Sequence, residues 1–172
     1  QFLKKIRDLA NKKNLVLIFD ECTSGFRGNF GGLHKKYGVI PDMVIFGKAL
    51  GNGYPINAIL GKKEVMEGAQ KTFISSTFWT ERLGPSAALK TINEMEKIKS
   101  WETISKINNL ITSKWKQISK ENKIKIHIDG MIGIPSFRIL HEDWNLFKTY
   151  ITQEMLNKKI LATNSIYIST TH

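Results

Sequence analysis

Uninterrupted apolar runs, instead of alternating apolar and polar positions, mark two stretches in the first half of the chain. The first stretch, residues 15–21, is apolar up to Asp20, and the second, residues 42–53, contains an apolar run that leads through one glycine to Lys48. Continuous apolar runs are typical of strands that are covered on both faces, as in a parallel sheet. Ligands of open α/β sheets bind beyond the carboxyl ends of the strands, so Asp20 and Lys48 are predicted to face one crevice.

In other segments apolar residues recur every three or four positions, which predicts amphipathic helices. These predicted helices cover residues 2–10, a short stretch up to Tyr37, and residues 62–69, 82–97, 101–118 and 143–159. Short apolar stretches predict further strands at residues 56–61 and 166–169. Between residues 124 and 139, alternating apolar positions flank Asp129 and Gly130, and an Asp-Gly pair in this context predicts a hairpin turn.

The composition is that of an ordinary globular chain, with 172 residues of which 41% are apolar. No apolar run approaches the roughly 18 residues that a membrane-spanning helix needs. The N-terminus also lacks the basic-then-apolar pattern of a signal peptide, so a cytoplasmic protein is predicted. The single cysteine, Cys22, excludes an internal disulfide.

The net charge of +11 raises the question of nucleic-acid binding. Only four of the 26 basic residues are arginines, and the lysines are scattered instead of clustered. Phosphate recognition usually recruits arginines in a stripe, whereas scattered lysines are typical of solvated helix faces. We therefore expect no nucleic-acid partner, and a basic nucleic-acid binder is the least favoured alternative. The histidines lack metal-ligand spacing, so no metal site is predicted.

A lysine at the mouth of a buried strand suggests a chemical role, because desolvation disfavours its ammonium form and makes its amine a better nucleophile. In pyridoxal phosphate enzymes a lysine carries the cofactor's aldehyde and an aspartate keeps the pyridine nitrogen protonated. Lys48 and Asp20 have the residue types for these two tasks. A simple salt bridge between them at a sheet edge is an equally good interpretation of the two residues alone.

Five motifs lie around these residues: LVLIFDECT (15–23), GFR (25–27), YGVIPD (37–42), GKALGNGYP (47–55) and NAILG (57–61). Together they resemble the class III pyridoxal phosphate aminotransferases, most closely the group of glutamate-1-semialdehyde aminomutase. The resemblance implies an α/β fold of type I, like that of aspartate aminotransferase, represented only in part. Residues 1–97 are expected to form the C-terminal half of the large, mainly parallel sheet domain, and residues 98–172 part of the small C-terminal α/β domain.

The resemblance also implies roles for individual residues. Lys48 would form the Schiff base with pyridoxal phosphate and later move a proton between the substrate carbon and the cofactor, while Asp20 would bind the pyridine nitrogen. Cys22 takes the position of an aliphatic residue that packs on the cofactor ring. Thr77 matches a threonine that reaches across a homodimer interface to the neighbouring subunit's cofactor phosphate.

The implied reaction is the transfer of an amino group between an amino acid or amine and a carbonyl compound, either as a transaminase or as an aminomutase, which is an isomerase. Some relatives serve cell-surface sugar pathways. In the family the main phosphate-binding segment lies upstream of the residues present here, so the isolated chain is expected to be inactive. The alternative is a truncated or degenerate relative with a structural or interaction role. Glu21 and Arg27 are expected either to fix loops or to touch substrate.

Overall fold

The structure is a computed structural model that describes residues 1–78 and 80–171. It divides into two units, the first comprising Gln1–Lys99 and the second beginning at Ser100. Within the described ranges, no helix combines the length and the apolar character needed to cross a membrane.

A three-stranded sheet forms the centre of the first unit. Its strands are β1 (Ile18–Asp20), β2 (Met43–Phe46) and β3 (Ala58–Gly61), in the order β1-β2-β3. β1 and β2 are parallel, with Asp20 opposite Ile45, and β3 is antiparallel to β2. The predicted parallel pairing is therefore confirmed, and it places the end of β1 beside the segment that leads to Lys48.

The prediction that both strands are covered on both faces is wrong for β1. Ile18 is 49% exposed, because the buried core of this unit contains Val44 and Phe46 of β2, while β1 contributes the partly buried Phe19. β1 is also shorter than predicted, since the N–H of Leu15 donates to the carbonyl of Ala10 in the preceding helix and not to a neighbouring strand. The described part of β1 is thus an exposed edge strand whose last residue is accessible.

The described residues of the first unit form the α-helices α1 (Phe2–Lys13), α2 (Leu33–Tyr37), α3 (Lys63–Met66) and α4 (Leu83–Ile98). They also form the 3-10 helices Lys48–Leu50 and Glu67–Lys71. α1 continues three residues beyond its predicted end and stops at Asn14, whose φ of 52° gives the left-handed cap that ends many helices. α4 agrees with its prediction. Its buried Ala88 packs against Val44, Phe46 and Leu50 to form the core.

Asp42 fixes the start of β2 to the elements around it. Its buried carboxylate accepts hydrogen bonds from the backbone N–H of Leu17, from Arg7 Nη1 and from Lys62 Nζ, each at 2.8 Å. The hydrogen bond from Leu17, followed by those from Lys62 and Arg7, holds the pKa of Asp42 well below its usual range. One carboxylate therefore ties α1, the start of the parallel pair and the end of β3 together.

The second unit contains α5 (Ser100–Glu121), β4 (Ile126–Met131), β5 (Ile134–Ile139) and α6 (Trp144–Asn157). β4 and β5 form the predicted antiparallel hairpin, but the predicted turn at Asp129 and Gly130 is wrong. These two residues pair with Ser136 and Pro135 inside the ladder, and the chain turns at residues 132–133.

The side-chain pairs across the hairpin explain this register. It places Ile126 opposite Ile139 and Ile128 opposite Phe137, whereas a turn at residues 129–130 would place Ile126 opposite Gly133. Cross-strand apolar pairs stabilise a hairpin, and Gly133 supplies the positive φ, 90°, that the turn requires.

The predicted final strand at residues 166–169 is only partly present. The N–H groups of Ile166 and Ile168 donate to the carbonyls of Pro135 and Gly133, at 3.1 and 2.9 Å. A single bridge, between Ser165 and Ser136, joins this segment to β5, and the described residues form no further ladder there.

Candidate active site

Lys48 follows β2 at a point where the backbone takes an unusual conformation. Its φ is 43°, in the left-handed region that side-chain-bearing residues adopt only at a cost. Lys48 opens the 3-10 helix Lys48–Leu50, and its carbonyl accepts hydrogen bonds from the N–H groups of Gly51 and Asn52, both at 3.2 Å. The side chain is exposed, and its Nζ donates a hydrogen bond to Thr23 Oγ1.

The glycines beside Lys48 are required by close packing. A Cβ on Gly47 would lie 2.4 Å from Asn57 Oδ1 and 3.4 Å from Cys22 Sγ. A Cβ on Gly51 would lie 2.0 Å from the carbonyl oxygen of Tyr54. The backbone on either side of Lys48 is thus pressed against its neighbours, which fixes the position from which the lysine side chain leaves.

Asp20 ends β1 with an exposed carboxylate. Its Oδ1 accepts a hydrogen bond from the backbone N–H of Cys22 at 2.9 Å. This hydrogen bond, with further contributions from the Cys22 thiol and the charge of Lys48, lowers the pKa of Asp20 below its ordinary value. Asp20 is therefore ionised at neutral pH.

Cys22 is half-buried between these two residues. Burial raises the pKa of the Cys22 thiol, and the hydrogen bond to Asp20 and the negative charge of Asp20 raise it further. Because the thiolate is the reactive form of cysteine, this side chain is a poor nucleophile at neutral pH.

Glu21 fixes the loop that follows β1. Its buried carboxylate accepts hydrogen bonds from Ser24 Oγ at 2.6 Å and from the backbone N–H groups of Leu33 and His34 at 2.8 and 2.9 Å, and it contacts His34 Nδ1 at 2.9 Å. Burial opposes the ionisation of Glu21, but the hydrogen bonds from Ser24, His34 and Leu33 outweigh it and leave the pKa below its ordinary value. Arg27 acts on the same loop, since its Nε donates to the carbonyl of Thr23 at 2.7 Å.

Thr77 is exposed and lies in a turn between the second 3-10 helix and α4. No hydrogen bond or ion pair within residues 1–78 and 80–171 joins it to Asp20, Cys22 or Lys48. The structure thus brings three of the four predicted site residues together, and the roles of all four stay predictions.

Two residues beside Lys48 were not predicted from the sequence. Thr23 receives the hydrogen bond of the lysine, and Asn57 packs on Gly47. Thr23 could have been noticed as a hydroxyl three positions after a strand-end carboxylate. The position of Asn57 follows from the path of the backbone between β2 and β3, for which the sequence carries no spacing signal.

The amine and the carboxylate are close enough to influence each other, yet they do not neutralise each other in direct contact. The charge of Lys48 contributes to the lowered pKa of Asp20, but no ion pair joins the two in the described part of the chain. Lys48 bonds to Thr23, and Asp20 bonds to the backbone of Cys22. An accessible amine and an ionised carboxylate on adjacent strand ends fit a group that has an aldehyde and a protonated ring nitrogen, as pyridoxal phosphate has.

Comparison with known proteins agrees with this chemistry. A family model described as class III aminotransferase matches residues 1–151. The chain is 35% identical over 153 residues to the 3-aminobutyryl-CoA aminotransferase of Cloacimonas acidaminovorans, covering 88% of this chain and 37% of that protein. It is 32% identical over 168 residues to the glutamate-1-semialdehyde 2,1-aminomutase of Legionella pneumophila, covering 92% of this chain and 38% of that protein.

Solved structures agree on the fold. The FumI protein of Sphingopyxis sp. MTA144, in its PLP internal aldimine form, superposes with a TM-score of 0.89 at 21% identity over 99% of this chain and 42% of its own. An omega-transaminase from Sphaerobacter thermophilus superposes with a TM-score of 0.86 at 22% identity over 99% of this chain and 43% of its own. The predicted α/β transferase fold, present in part, is confirmed.

The chain spans about two fifths of the length of the relatives that it matches. The family model nevertheless covers both of the strand ends that carry Asp20 and Lys48 and runs on into α6. The match confirms the resemblance predicted from the sequence, and it indicates pyridoxal phosphate as the cofactor. This chain belongs to the class III aminotransferase family.

Proposed function

We propose that the full-length protein uses pyridoxal phosphate to transfer an amino group between an amino acid or amine and a carbonyl compound. One observation carries the proposal. The Lys48 amine and the ionised Asp20 carboxylate lie at adjacent strand ends, and each bonds to a neutral group instead of to the other. Both charged groups are therefore available to a ligand.

Each residue of the site has a task in this proposal. Lys48 holds the cofactor through its aldehyde carbon, and Asp20 holds the pyridine nitrogen. The lowered pKa of Asp20 suits this task, because the carboxylate stays ionised and can keep a ring nitrogen protonated. Cys22 offers a small, polarizable side chain beside the ring. When bound, pyridoxal phosphate supplies an electron sink for negative charge at the substrate carbon.

With the cofactor bound, the Lys48 amine would have a second task. An amine on a flexible four-carbon stem at an accessible edge can take a proton from one carbon and give it to another, as a general base and acid. The fixed backbone at Gly47 and Gly51 keeps the backbone end of the Lys48 side chain in one place during that transfer. Orientation of this kind lowers the entropic part of a reaction barrier.

Several broader features belong to the same proposal. Residues 1–97 would be part of the large cofactor-binding domain, and residues 98–172 part of the small domain. Thr77 would reach the cofactor phosphate of the neighbouring subunit in a homodimer, and its exposure supports that role. The substrates would be a small-molecule amino donor and a carbonyl acceptor. The cytoplasmic location stays a prediction.

The first experiment is an absorbance spectrum of the full-length protein with pyridoxal phosphate, before and after borohydride reduction, followed by mass analysis of the peptide that contains Lys48. We expect a visible band that reduction removes, with the mass of the cofactor added at Lys48. Lys48→Ala should lose both signals. Lys63→Ala is the matched control, because Lys63 is an exposed lysine elsewhere in the same unit and should leave both unchanged. A band that survives Lys48→Ala would contradict the proposal.

Relatives of this chain include both an aminotransferase and an aminomutase, so product analysis has to separate the two reactions. An aminomutase converts its substrate without an external amino donor, whereas a transaminase requires one. The isolated 172-residue chain should be inactive in either assay. The alternative of a degenerate relative without a complete site is not favoured by the family match, and it predicts no reducible band from the full-length protein.

A further inference from the structure

The hydroxyl of Thr23 is the group that the Lys48 amine contacts in this structure. Thr23 ends the motif LVLIFDECT, but the proposed roles of Asp20, Cys22 and Lys48 do not use its hydroxyl. We propose that Thr23 is a positioning residue that holds the Lys48 amine at the strand end and keeps it apart from Asp20. The inference rests on the proposed function of Lys48.

A lysine amine at an exposed edge needs such a partner. The lysine side chain has four rotatable bonds. Its rotamers become restricted when a partner holds the Nζ atom. Attack on an aldehyde that the site itself holds in place requires the amine at a defined distance and angle, so an amine that samples many rotamers reacts with it more slowly. A small, freely diffusing aldehyde needs only access to the amine. One hydrogen bond to a fixed acceptor selects a subset of those rotamers.

Thr23 is such a fixed acceptor, because the loop around it is bonded on both sides. Arg27 Nε donates to the carbonyl of Thr23 at 2.7 Å. The next residue, Ser24, donates to the buried carboxylate of Glu21 at 2.6 Å, and the N–H of Gly25 donates to the carbonyl of Glu21 at 2.8 Å. The hydroxyl of Thr23 is therefore presented to Lys48 from a loop that cannot easily move.

The chemistry of the acceptor matters as much as its position. Asp20 is the obvious competitor for the amine, and a direct ion pair would occupy both groups that the proposed cofactor site needs. A hydroxyl is neutral, so its oxygen accepts a hydrogen bond from the amine without neutralising the charge of the amine. While Thr23 holds Lys48 and the backbone of Cys22 holds Asp20, the two groups remain separately available.

Two substitutions separate the hydroxyl from the methyl group of this side chain. Thr23→Val removes the hydroxyl and keeps the shape, and Thr23→Ser keeps the hydroxyl and removes the methyl. The first readout uses the full-length protein without cofactor. It is the rate at which formaldehyde and cyanoborohydride methylate Lys48, measured by peptide mass relative to Lys63, which is 89% exposed.

In an Asp20→Asn background, where the released amine has no carboxylate to pair with, we expect Thr23→Val to raise the methylation of Lys48 relative to Lys63 about fivefold, the scale that the loss of one hydrogen bond gives. Thr23→Ser in the same background should match Asp20→Asn alone. Equal relative rates in Asp20→Asn with and without Thr23→Val would overturn the inference. Faster methylation in both variants would also overturn it, because the methyl group and the packing of the loop would then be responsible.

The second readout is the rate at which pyridoxal phosphate attaches to Lys48, followed by the growth of the visible band. Thr23→Val should slow it by about tenfold, since orientation is lost, and Thr23→Ser should restore it. An unchanged rate in Thr23→Val would overturn the inference. A wild-type protein that takes up no cofactor at Lys48 would refute the proposed function instead, and the methylation rates would still decide the role of Thr23.

Discussion

Two loops of the first unit deliver the candidate site, and they are held in opposite ways. The loop of residues 21–34, which follows β1, is held by a buried side chain, because the carboxylate of Glu21 bonds to Ser24, Leu33 and His34. The loop of residues 47–53, which follows β2, is held by the absence of side chains, since Gly47 and Gly51 leave no room for a Cβ. The first loop should therefore be destabilised when the Glu21 carboxylate is lost, and the second when a side chain is added at Gly47 or Gly51.

This difference suits what each loop carries. The loop after β1 presents Thr23 and ends at the short helix α2, so a central anchor can organise many backbone groups at once. The loop after β2 presents one long side chain, Lys48, whose direction depends on a positive φ and on close packing at both flanks. A polar anchor and a steric one thus position two halves of the same site.

The strongest test of the polar anchor is Glu21→Gln. An amide presents donors to the N–H groups that now donate to Glu21, so buried donors lose their partner. We expect a loss of about 3 kcal/mol in the free energy of unfolding, the scale for breaking a buried charged network. The measurement is chemical denaturation. Glu64→Gln, at an exposed glutamate in α3, is the matched control and should change stability by less than about 0.5 kcal/mol. Equal effects at the two positions would refute the anchor.

The steric anchor is tested by adding a methyl group in Gly47→Ala. The new Cβ would meet Asn57 Oδ1 at 2.4 Å, and we expect a cost of about 2 kcal/mol in unfolding free energy from overpacking. Trimming the partner in Asn57→Ala should recover most of that cost in the double variant, which a double-mutant cycle measures.

Gly51→Ala provides the contrast within this test. Its Cβ would meet a backbone oxygen, that of Tyr54, so the Asn57→Ala background should not rescue it. If Asn57→Ala relieved both glycine variants equally, the loop would be held by general packing and not by the two close approaches.

Low pH should reduce the stability that the Glu21 carboxylate provides, and it should leave the close packing at Gly47 and Gly51 unchanged. The pKa of Glu21 is below its ordinary value in the folded chain, so Glu21 binds a proton more readily in the unfolded chain than in the folded chain. Its contribution is complete above the ordinary pKa of 4.5 and is lost as the pH falls below it. The stability difference between wild type and Glu21→Gln should shrink as the pH falls from about 5 to about 3, while the cost of Gly47→Ala stays constant. A constant Glu21→Gln difference across that range would contradict the assignment.

The smallest effect concerns Cys22, where the two loops meet. Its thiol pKa is raised by burial and by Asp20, so alkylation by iodoacetamide at neutral pH should be slower than that of an unperturbed cysteine peptide. Asp20→Asn removes one of these causes and should speed the reaction about threefold. Rates measured against pH separate thiol ionisation from mere access. An unchanged pH profile in Asp20→Asn would show that burial alone controls the thiol.

The sequence predicted the parallel strand pair and the placing of Asp20 and Lys48 at its end, because apolar runs that end in one ionisable residue are a strong local signal. It failed at the hairpin turn, since the register depends on which apolar residues face each other across the strands, and a two-residue turn motif carries less weight than those pairs. The bond between Lys48 and Thr23 could not be predicted, because it depends on the backbone angle at Lys48 and on a loop fixed by Glu21.

The carboxylate of Asp42 also bears on how the nascent chain can fold on the ribosome. Two of its partners, Arg7 and Leu17, precede it, and the third, Lys62, is synthesised later. Since the earlier partners lie in α1 and just before β1, their bonds can align the two parallel strands as soon as β2 emerges. Lys62 then adds the third bond to Asp42 after β3 has emerged. The edge that carries Asp20 can thus form before β3 has emerged.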